Sequence, residues 1–476
     1  MSHKEGNRLI SNAVYQTLYQ ILATVTPLIT SPYISRELGA TNLGIFSYSN
    51  SIVTYFTLFA MLGVVNYGTR TIAQCNKTRE ELTGTFWSIF AMQALTTLLA
   101  LLVYIVYIVM ADAQMRVVAI VQGMLILACF ADVNWFFFGL EDFKLTVTRN
   151  IIIKLATVAA ILLFVKNGHS PLIMYAAIMA VGTLLANLAI LPFMRKYIGF
   201  RIPTRKEILV HIGPNIKLFI PLLASSVFHV MDKTMLGSMA AYEESGYYYN
   251  ADKLVNIPIS ILKGLGTVFL PRVTAVFKKD KAEGFRFLGG SFKLNMALSY
   301  LLAFGIAGCA NEFIPVFFGE GYDSCVGLTI VFTPVLVIKS VSMFYQMQYL
   351  VPTGREKVYI TATFVGAAFN AVANMLLIPW LGAMGAVVGT LIAEVVVMLV
   401  QIIGTWKDVP TLRWVLGTVP YCLMGCVTVL VMRLVAGLSL GSIWVLVLEV
   451  CAGGTTFLVL CAIYWFLFER NFLKRD

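Results

Sequence analysis

The sequence predicts an all-α polytopic membrane protein of about 14 transmembrane helices, in two six-helix lobes related by a parallel internal repeat, plus two C-terminal helices. Three observations predict it. The 476 residues are 59% hydrophobic and only 12% charged, about half the charge of a soluble globule, with a mean hydropathy of +0.82. Apolar runs of the length that one crossing needs, about 20 residues, recur from end to end. Three local matches repeat at nearly one offset. Helices follow from runs of this length, because hydrocarbon offers a free backbone group no partner.

The predicted spans cover residues 11–34, 41–67, 83–110, 115–139, 146–166, 171–194, 213–239, 246–271, 287–310, 325–351, 357–378, 384–405, 412–436 and 441–468. Met1–Arg8 is polar and the first apolar run exceeds a cleaved leader, so no signal peptide is expected. Loop charge tests the count. Connections on one side carry only Arg36, Arg116 and Lys166 as cations. Those on the other side carry Arg70, Lys77 and Arg79; Lys144 and Arg149; Arg195, Lys196, Arg201, Arg205 and Lys206; Arg272, Lys278, Lys279, Lys281 and Arg286; Arg355 and Lys357; and Lys407 and Arg413. The termini add Lys4, Arg8, Arg470, Lys474 and Arg475. The positive-inside rule then places both termini in the cytoplasm. The same rule accounts for the net charge of +11, so no nucleic-acid partner is inferred. Every outer loop is short.

The first six spans recur as the next six. Gly44-Ile-Phe-Ser-Tyr matches Gly246-Tyr-Tyr-Tyr-Asn at an offset of 202, which also places Arg70 over Arg272. Gly139-Leu-Glu-Asp-Phe-Lys-Leu-Thr matches Gly354-Arg-Glu-Lys-Val-Tyr-Ile-Thr at 215, and Val181-Gly-Thr-Leu-Leu-Ala-Asn matches Val388-Gly-Thr-Leu-Ile-Ala-Glu at 207. Six helices, an even number, separate the copies, so both insert the same way round. The expected organisation is 1–205 for the N-terminal lobe, 206–408 for the C-terminal lobe, and 409–476 for spans 13 and 14. Two-lobed transporters of this kind hold substrate between the lobes and rock to alternate access. Pro27, Pro32, Pro221 and Pro258 are expected to kink spans 1, 7 and 8.

Eight cations fall inside the spans: Lys154, Lys217, Lys233, Lys253, Lys263, Lys293, Lys339 and Arg433. Each costs about 2.5–3.5 kcal/mol at the bilayer centre. Lys217, Lys293 and Arg433 lie near helix ends and can snorkel to the headgroups. Lys263 and Lys339 are near mid-span, while Lys233 and Lys253 each follow an acid, Asp232 and Asp252. A cationic cavity calls for an anionic cargo. Among the few buried acids, Asp232 carries the sharpest reading. Asn370 and Asn374 stand one turn apart in span 11, and Thr390 and Glu394 one turn apart in span 12. Carboxylate, amide and hydroxyl oxygens suit a small hard cation, although Asn in membrane helices also serves as helix–helix glue. No P-loop, metal-ligand motif or catalytic triad is present, so no enzyme is expected.

Asn12-Ala-Val-Tyr-Gln, Pro32-Tyr-Ile-Ser-Arg-Glu-Leu-Gly-Ala-Thr-Asn-Leu-Gly-Ile-Phe, Tyr249-Asn-Ala-Asp-Lys-Leu-Val-Asn-Ile-Pro and Gly266-Thr-Val-Phe-Leu-Pro-Arg carry a resemblance over the whole chain. The protein resembles the Wzx-type polysaccharide flippases of the multidrug/oligosaccharidyl-lipid/polysaccharide exporter superfamily, which are related to lipid II flippases. The resemblance implies a bacterial cytoplasmic-membrane flippase for undecaprenyl-pyrophosphate-linked oligosaccharide. It implies alternating access driven by Na+ or H+, no other cofactor, and partners among membrane lipids and the polymerase and export machinery. The products in view are O-antigen, capsule and related surface polymers.

The resemblance also implies phosphate contact at Lys253, which follows Ala-Asp in span 8, and a sodium site at Asp232, Asn370, Asn374 and Thr390. Lys263, Lys339, Lys233 and Arg36 complete the expected substrate contacts. Two departures stand out. Asn374 replaces the Asp usual in lipid II flippases, and span 2 offers uncharged Asn50 and Ser51 where those relatives carry Arg. A multidrug antiporter of the same superfamily and a lipid II flippase remain as alternatives. Fourteen spans and an excess of buried Lys weigh against the first, and the missing first-lobe Arg against the second. A polymerase or ligase would need a sizeable outer loop.

Overall fold

Long apolar stretches bound by short polar breaks fold here as helices, and no strand occurs among the described residues. The computed structural model describes residues 3–75, 78–166, 170–438 and 441–469. Lys77, Arg470, Lys474 and Arg475 lie outside the described residues, as do the side chains of Lys4, Arg8, Lys278, Lys279 and Lys281. Contacts divide the chain between Ser238 and Met239 into two compact units.

The first unit holds α1 (His3–Met61), α2 (Val64–Gln74), α3 (Arg79–Met110), α4 (Ala113–Gln122), α5 (Met124–Phe130), α6 (Asn134–Gly139), α7 (Phe143–Phe164), α8 (Pro171–Leu188) and α9 (Arg205–Met239). The second holds α10 (Tyr242–Lys279), α11 (Lys281–Phe318), α12 (Ser324–Phe332), α13 (Pro334–Phe344), α14 (Glu356–Leu381), α15 (Ala383–Thr405), α16 (Thr411–Leu416), α17 (Val419–Ala436) and α18 (Ser442–Tyr464).

Twelve helical stretches among the described residues are long and apolar enough to cross a bilayer. They are consistent with fourteen crossings. The first, Gln20–Gln74, has 55 residues, about 80 Å at 1.5 Å per residue, enough for two. It turns at Gly39, whose φ of 71° and ψ of 169° a residue with a Cβ rarely adopts. The break expected at Pro27 and Pro32 thus comes seven residues after Pro32, where the first two predicted spans part. The 38-residue α10 is not among the twelve, and its length of about 57 Å suffices for a crossing.

Helix starts follow local chemistry. Thr78 accepts from the Glu81 amide at the start of α3, and Asp280 accepts from the Ala282 amide (2.8 Å) at the start of α11. Span 4 is interrupted at Ala131–Val133, and side-chain amides take up the freed carbonyls. Gln93 donates to the oxygens of Cys129 (2.6 Å) and Asp132 (2.9 Å), Asn187 donates to Ala128 (3.0 Å), and Trp135 donates back to Gln93 (2.9 Å). Trp135 stacks on Phe86 at 5.3 Å and lies against Gly68, where a Cβ would come within 2.5 Å of the ring. Span 10 is irregular at the matching place: residues 345–350 form a π-helical turn, and an offset of 215 carries 131–133 to 346–348. The repeat is therefore visible in helix defects as well as in sequence.

Spans 7, 13 and 14 have definite neighbours. In the first unit α9 meets α1: Thr234 donates to Ser51 (2.8 Å), and a Cβ on Gly237 would sit 2.4 Å from the Tyr48 ring. In the second unit α17 and α18 pack on each other and on α11.

Candidate functional site

The predicted cargo cations divide between the units. Arg36 on α1 is exposed, and Lys233 on α9 is half-buried; both are in the first unit. Lys253, Lys263 and Lys339 are in the second. Lys253 on α10 holds its ammonium 4.1 Å from the centre of the Tyr249 ring, one turn earlier, in a cation–π contact. Lys263, ten residues further along α10 and near its middle, is exposed and makes no ion pair or hydrogen bond among the described residues. Lys339 on α13 is different. Its Nζ lies 2.9 Å from Glu394 Oε1 on α15, with side-chain exposures of 18% and 3%. The mid-span Lys339 is held as a buried ion pair with a partner concealed 55 residues away in sequence.

The oxygen-rich set also divides. Asp232 belongs to the first unit, where it is buried, within electrostatic reach of Tyr55. Asn370, Asn374 and Thr390 belong to the second unit and are all buried. Asn374 Nδ2 lies 3.5 Å from Asn370 Oδ1 on the same face of α14. Thr390 donates to Ala386 O (2.9 Å), and its oxygen lies 3.3 Å from the Tyr248 hydroxyl. Gly389 lets α14 and α15 close on this face, since a Cβ there would stand 2.2 Å from Asn374 Oδ1. Asn370 is fully buried, yet its Nδ2 has no hydrogen-bond partner among the described residues. Two amide oxygens and a hydroxyl at one helix interface fit a hard cation such as sodium. No cluster of three His, Cys, Asp or Glu side chains occurs among the described residues.

The first unit carries the matching joint. Gly182 on α8 occupies the place of Gly389, and a Cβ on it would stand 2.7 Å from Thr157 Oγ1 on α7. In each copy a glycine admits an oxygen from the neighbouring helix, a hydroxyl in one and an amide in the other.

Two polar groups escaped sequence reasoning. Arg149, counted there among inner-loop cations, is buried inside α7 and donates to Asn134 Oδ1 (2.8 Å) and Asn150 Oδ1 (2.6 Å); Asn134 in turn donates to Asp132 (2.7 Å). The following Asn150 was the available signal. Arg433, expected to snorkel, pairs with Glu312 on α11 (3.3 Å). Between α13 and α14, Arg355 binds Asp408, and that hydrogen bond raises the guanidinium pKa further.

Comparison with known proteins adds three findings. The family model for "Polysaccharide biosynthesis protein" matches residues 9–277. Two curated proteins named "Putative O-antigen transporter" are similar. That of Escherichia coli (strain K12) is 22% identical over 365 residues, 73% of this chain and 84% of its own. That of Shigella dysenteriae is 26% identical over 280 residues, 56% of this chain and 67% of its own. Among solved structures, "Lipid II flippase MurJ, inward closed conformation" superposes with a TM-score of 0.76 at 14% identity, over 96% of this chain and 99% of that one. An inward-facing multidrug resistance MATE family transporter of the MOP superfamily gives 0.58 at 13% identity, over 82% and 99%. At these identities the structures speak for a shared fold. Because the family model spans more than half of its residues, the chain belongs to the polysaccharide biosynthesis protein family.

Proposed function

We propose that this protein is a flippase that carries undecaprenyl-pyrophosphate-linked oligosaccharide across the bacterial cytoplasmic membrane for surface polysaccharide synthesis. Its family, its O-antigen-transporter relatives and its fold support this reading. The observation that carries it is Lys263, an exposed cation without a partner among the described residues, near the middle of a membrane-length helix. Such a charge is tolerated where water or an anion reaches it. Lys is a point-charge binder of phosphate, and Lys253, braced on Tyr249, adds a second charge on the same helix. Lys339 engages the cargo by exchanging Glu394 for phosphate, while Lys233 and Arg36 contribute from the first unit. Anion binding lowers the cost of each cation, which links loading to the change of access.

Coupling to an ion gradient fits the same frame. Asp232, Asn370, Asn374 and Thr390 would hold sodium, whose charge offsets the buried carboxylate. Both termini lie in the cytoplasm, and the glycan is handed to polymerase and export partners on the outer side.

The test is complementation of a strain lacking its own flippase. Lys263→Ala is expected to abolish surface polymer and to accumulate lipid-linked oligosaccharide, with normal membrane insertion. Normal surface polymer from a strain expressing only Lys263→Ala would remove the basis of the proposal.

A further inference from the structure

A second charged cluster lies away from these residues, within the second unit. Glu312 on α11 pairs with Arg433 on α17, at 3.3 Å and 3.4 Å to its two oxygens. Glu449 on α18 faces the same pair. It is fully buried, and among the described residues neither of its oxygens has a hydrogen-bond partner. The Glu312 and Glu449 carboxyls are near enough to share a hydrogen bond once one of them carries a proton.

The charge count decides the chemistry. Two carboxylates against one guanidinium leave one negative charge in excess, in a segment flanked by apolar residues. Arg433 gives both of its contacts to Glu312. An ionised Glu449 would then be a buried charge without a donor, a situation that is strongly destabilising. Two carboxylates facing each other are both acceptors, and a proton is the smallest addition that turns one of them into a donor.

The surroundings supply a route. A cavity of about 280 Å³ is lined by Asn311, Glu312 and Pro315 on α11 and by Ser442 and Val445 on α18. Val445 stands one turn before Glu449, and Glu312 is part of the lining. The cavity lies by the C-terminal end of α17 and the N-terminal start of α18, on the outer side of the membrane in the proposed topology. The groups that face Glu449 are Glu312 and Cys309 on α11 and Arg433 on α17.

We propose that Glu449 is a proton-binding carboxyl, loaded from the outer side through the Glu312-lined cavity and discharged when Arg433 turns from Glu312 to Glu449. Loading moves one proton from water onto a Glu449 oxygen. Discharge returns that proton to water while the guanidinium takes its place as counter-charge. The site is separate from the oxygen set on α14 and α15, so the protein carries a proton site in addition to any sodium site. Spans 13 and 14, outside the repeat, thereby gain a chemical role.

Infrared difference spectroscopy of the purified full-length protein in lipid nanodiscs tests this, using pH alone as the probe. A protonated-carboxyl C=O band that disappears between pH 5 and pH 9 is expected in the wild type and absent from Glu449→Gln. Glu312→Gln removes the facing charge and offers an amide donor, so it is expected to move the loss of the band to lower pH by one unit or more. Arg433→Gln is expected to move it the other way. Identical difference spectra for wild type and Glu449→Gln overturn the proposal. If Glu449→Gln does not fold, an unmoved band in Glu312→Gln does so instead. Neither readout depends on transport, so this result and the complementation result stand or fall separately.

Discussion

The Lys339–Glu394 pair separates a structural role from a transport role at a residue that sequence reasoning assigned to cargo. At 2.9 Å, with exposures of 18% and 3%, the two charges are almost withdrawn from solvent. Removing one leaves the other buried and uncompensated, which costs about 3–5 kcal/mol, whereas replacing both by apolar groups of similar volume is close to neutral. Lys339→Met is therefore expected to lose about 3–5 kcal/mol, less whatever water gains through the 18% opening on the lysine. Glu394→Leu should lose a similar amount, because it strands the lysine. The double variant should return to within about 1 kcal/mol of wild type, a coupling energy well above the uncertainty of a double-mutant cycle. The assay is thermal or denaturant unfolding of the four purified proteins in one detergent, followed by glycan export from the same four. Recovery of stability without recovery of export would give Lys339 both roles. A Lys339→Met protein as stable as wild type would refute the reasoning, since no buried charge would then depend on the lysine.

Two further outcomes address the cation reading. Sodium is expected to raise the thermal midpoint of the purified protein, and Asp232→Asn to remove that increase; an increase that persists in the variant excludes Asp232 as a ligand. Gly389→Ala places a Cβ 2.2 Å from Asn374 Oδ1, so it should cost about 1–3 kcal/mol of stability and weaken the sodium effect at the same time. Unchanged values for both in a thermal-shift titration would show that α14 and α15 do not close there.

Much of the fold was legible because the bilayer imposes one length on every crossing and charge alternation fixes the order of the loops. The turn at Gly39, the cap at Asp280 and the repeat all leave local marks in the chain. Side-chain partners leave none. Glu394 is 55 residues from Lys339, and Glu449 and Glu312 are 137 residues apart, so only the packing of α13 on α15 and of α18 on α11 could reveal them. Arg149 was misplaced for a simpler reason. The predicted span 146–166 already contained it, and counting it with the loop cations left it out of the buried charges, which ask for partners where loop charges do not. The oxygen set shows both sides of this. Asn370 and Asn374 were readable as one face, while the role of Gly389 became visible only through the neighbour it admits.

The paired joints Gly182–Thr157 and Gly389–Asn374 have a consequence for how such a chain diversifies. Because the glycine supplies the room, the side chain opposite it can change its chemistry without disturbing the helix pair. A hydroxyl and an amide already occupy equivalent seats in the two halves. The chemistry of that side chain can therefore drift in one half while the other keeps its original character, and duplication turns a single packing solution into two independently adjustable ones.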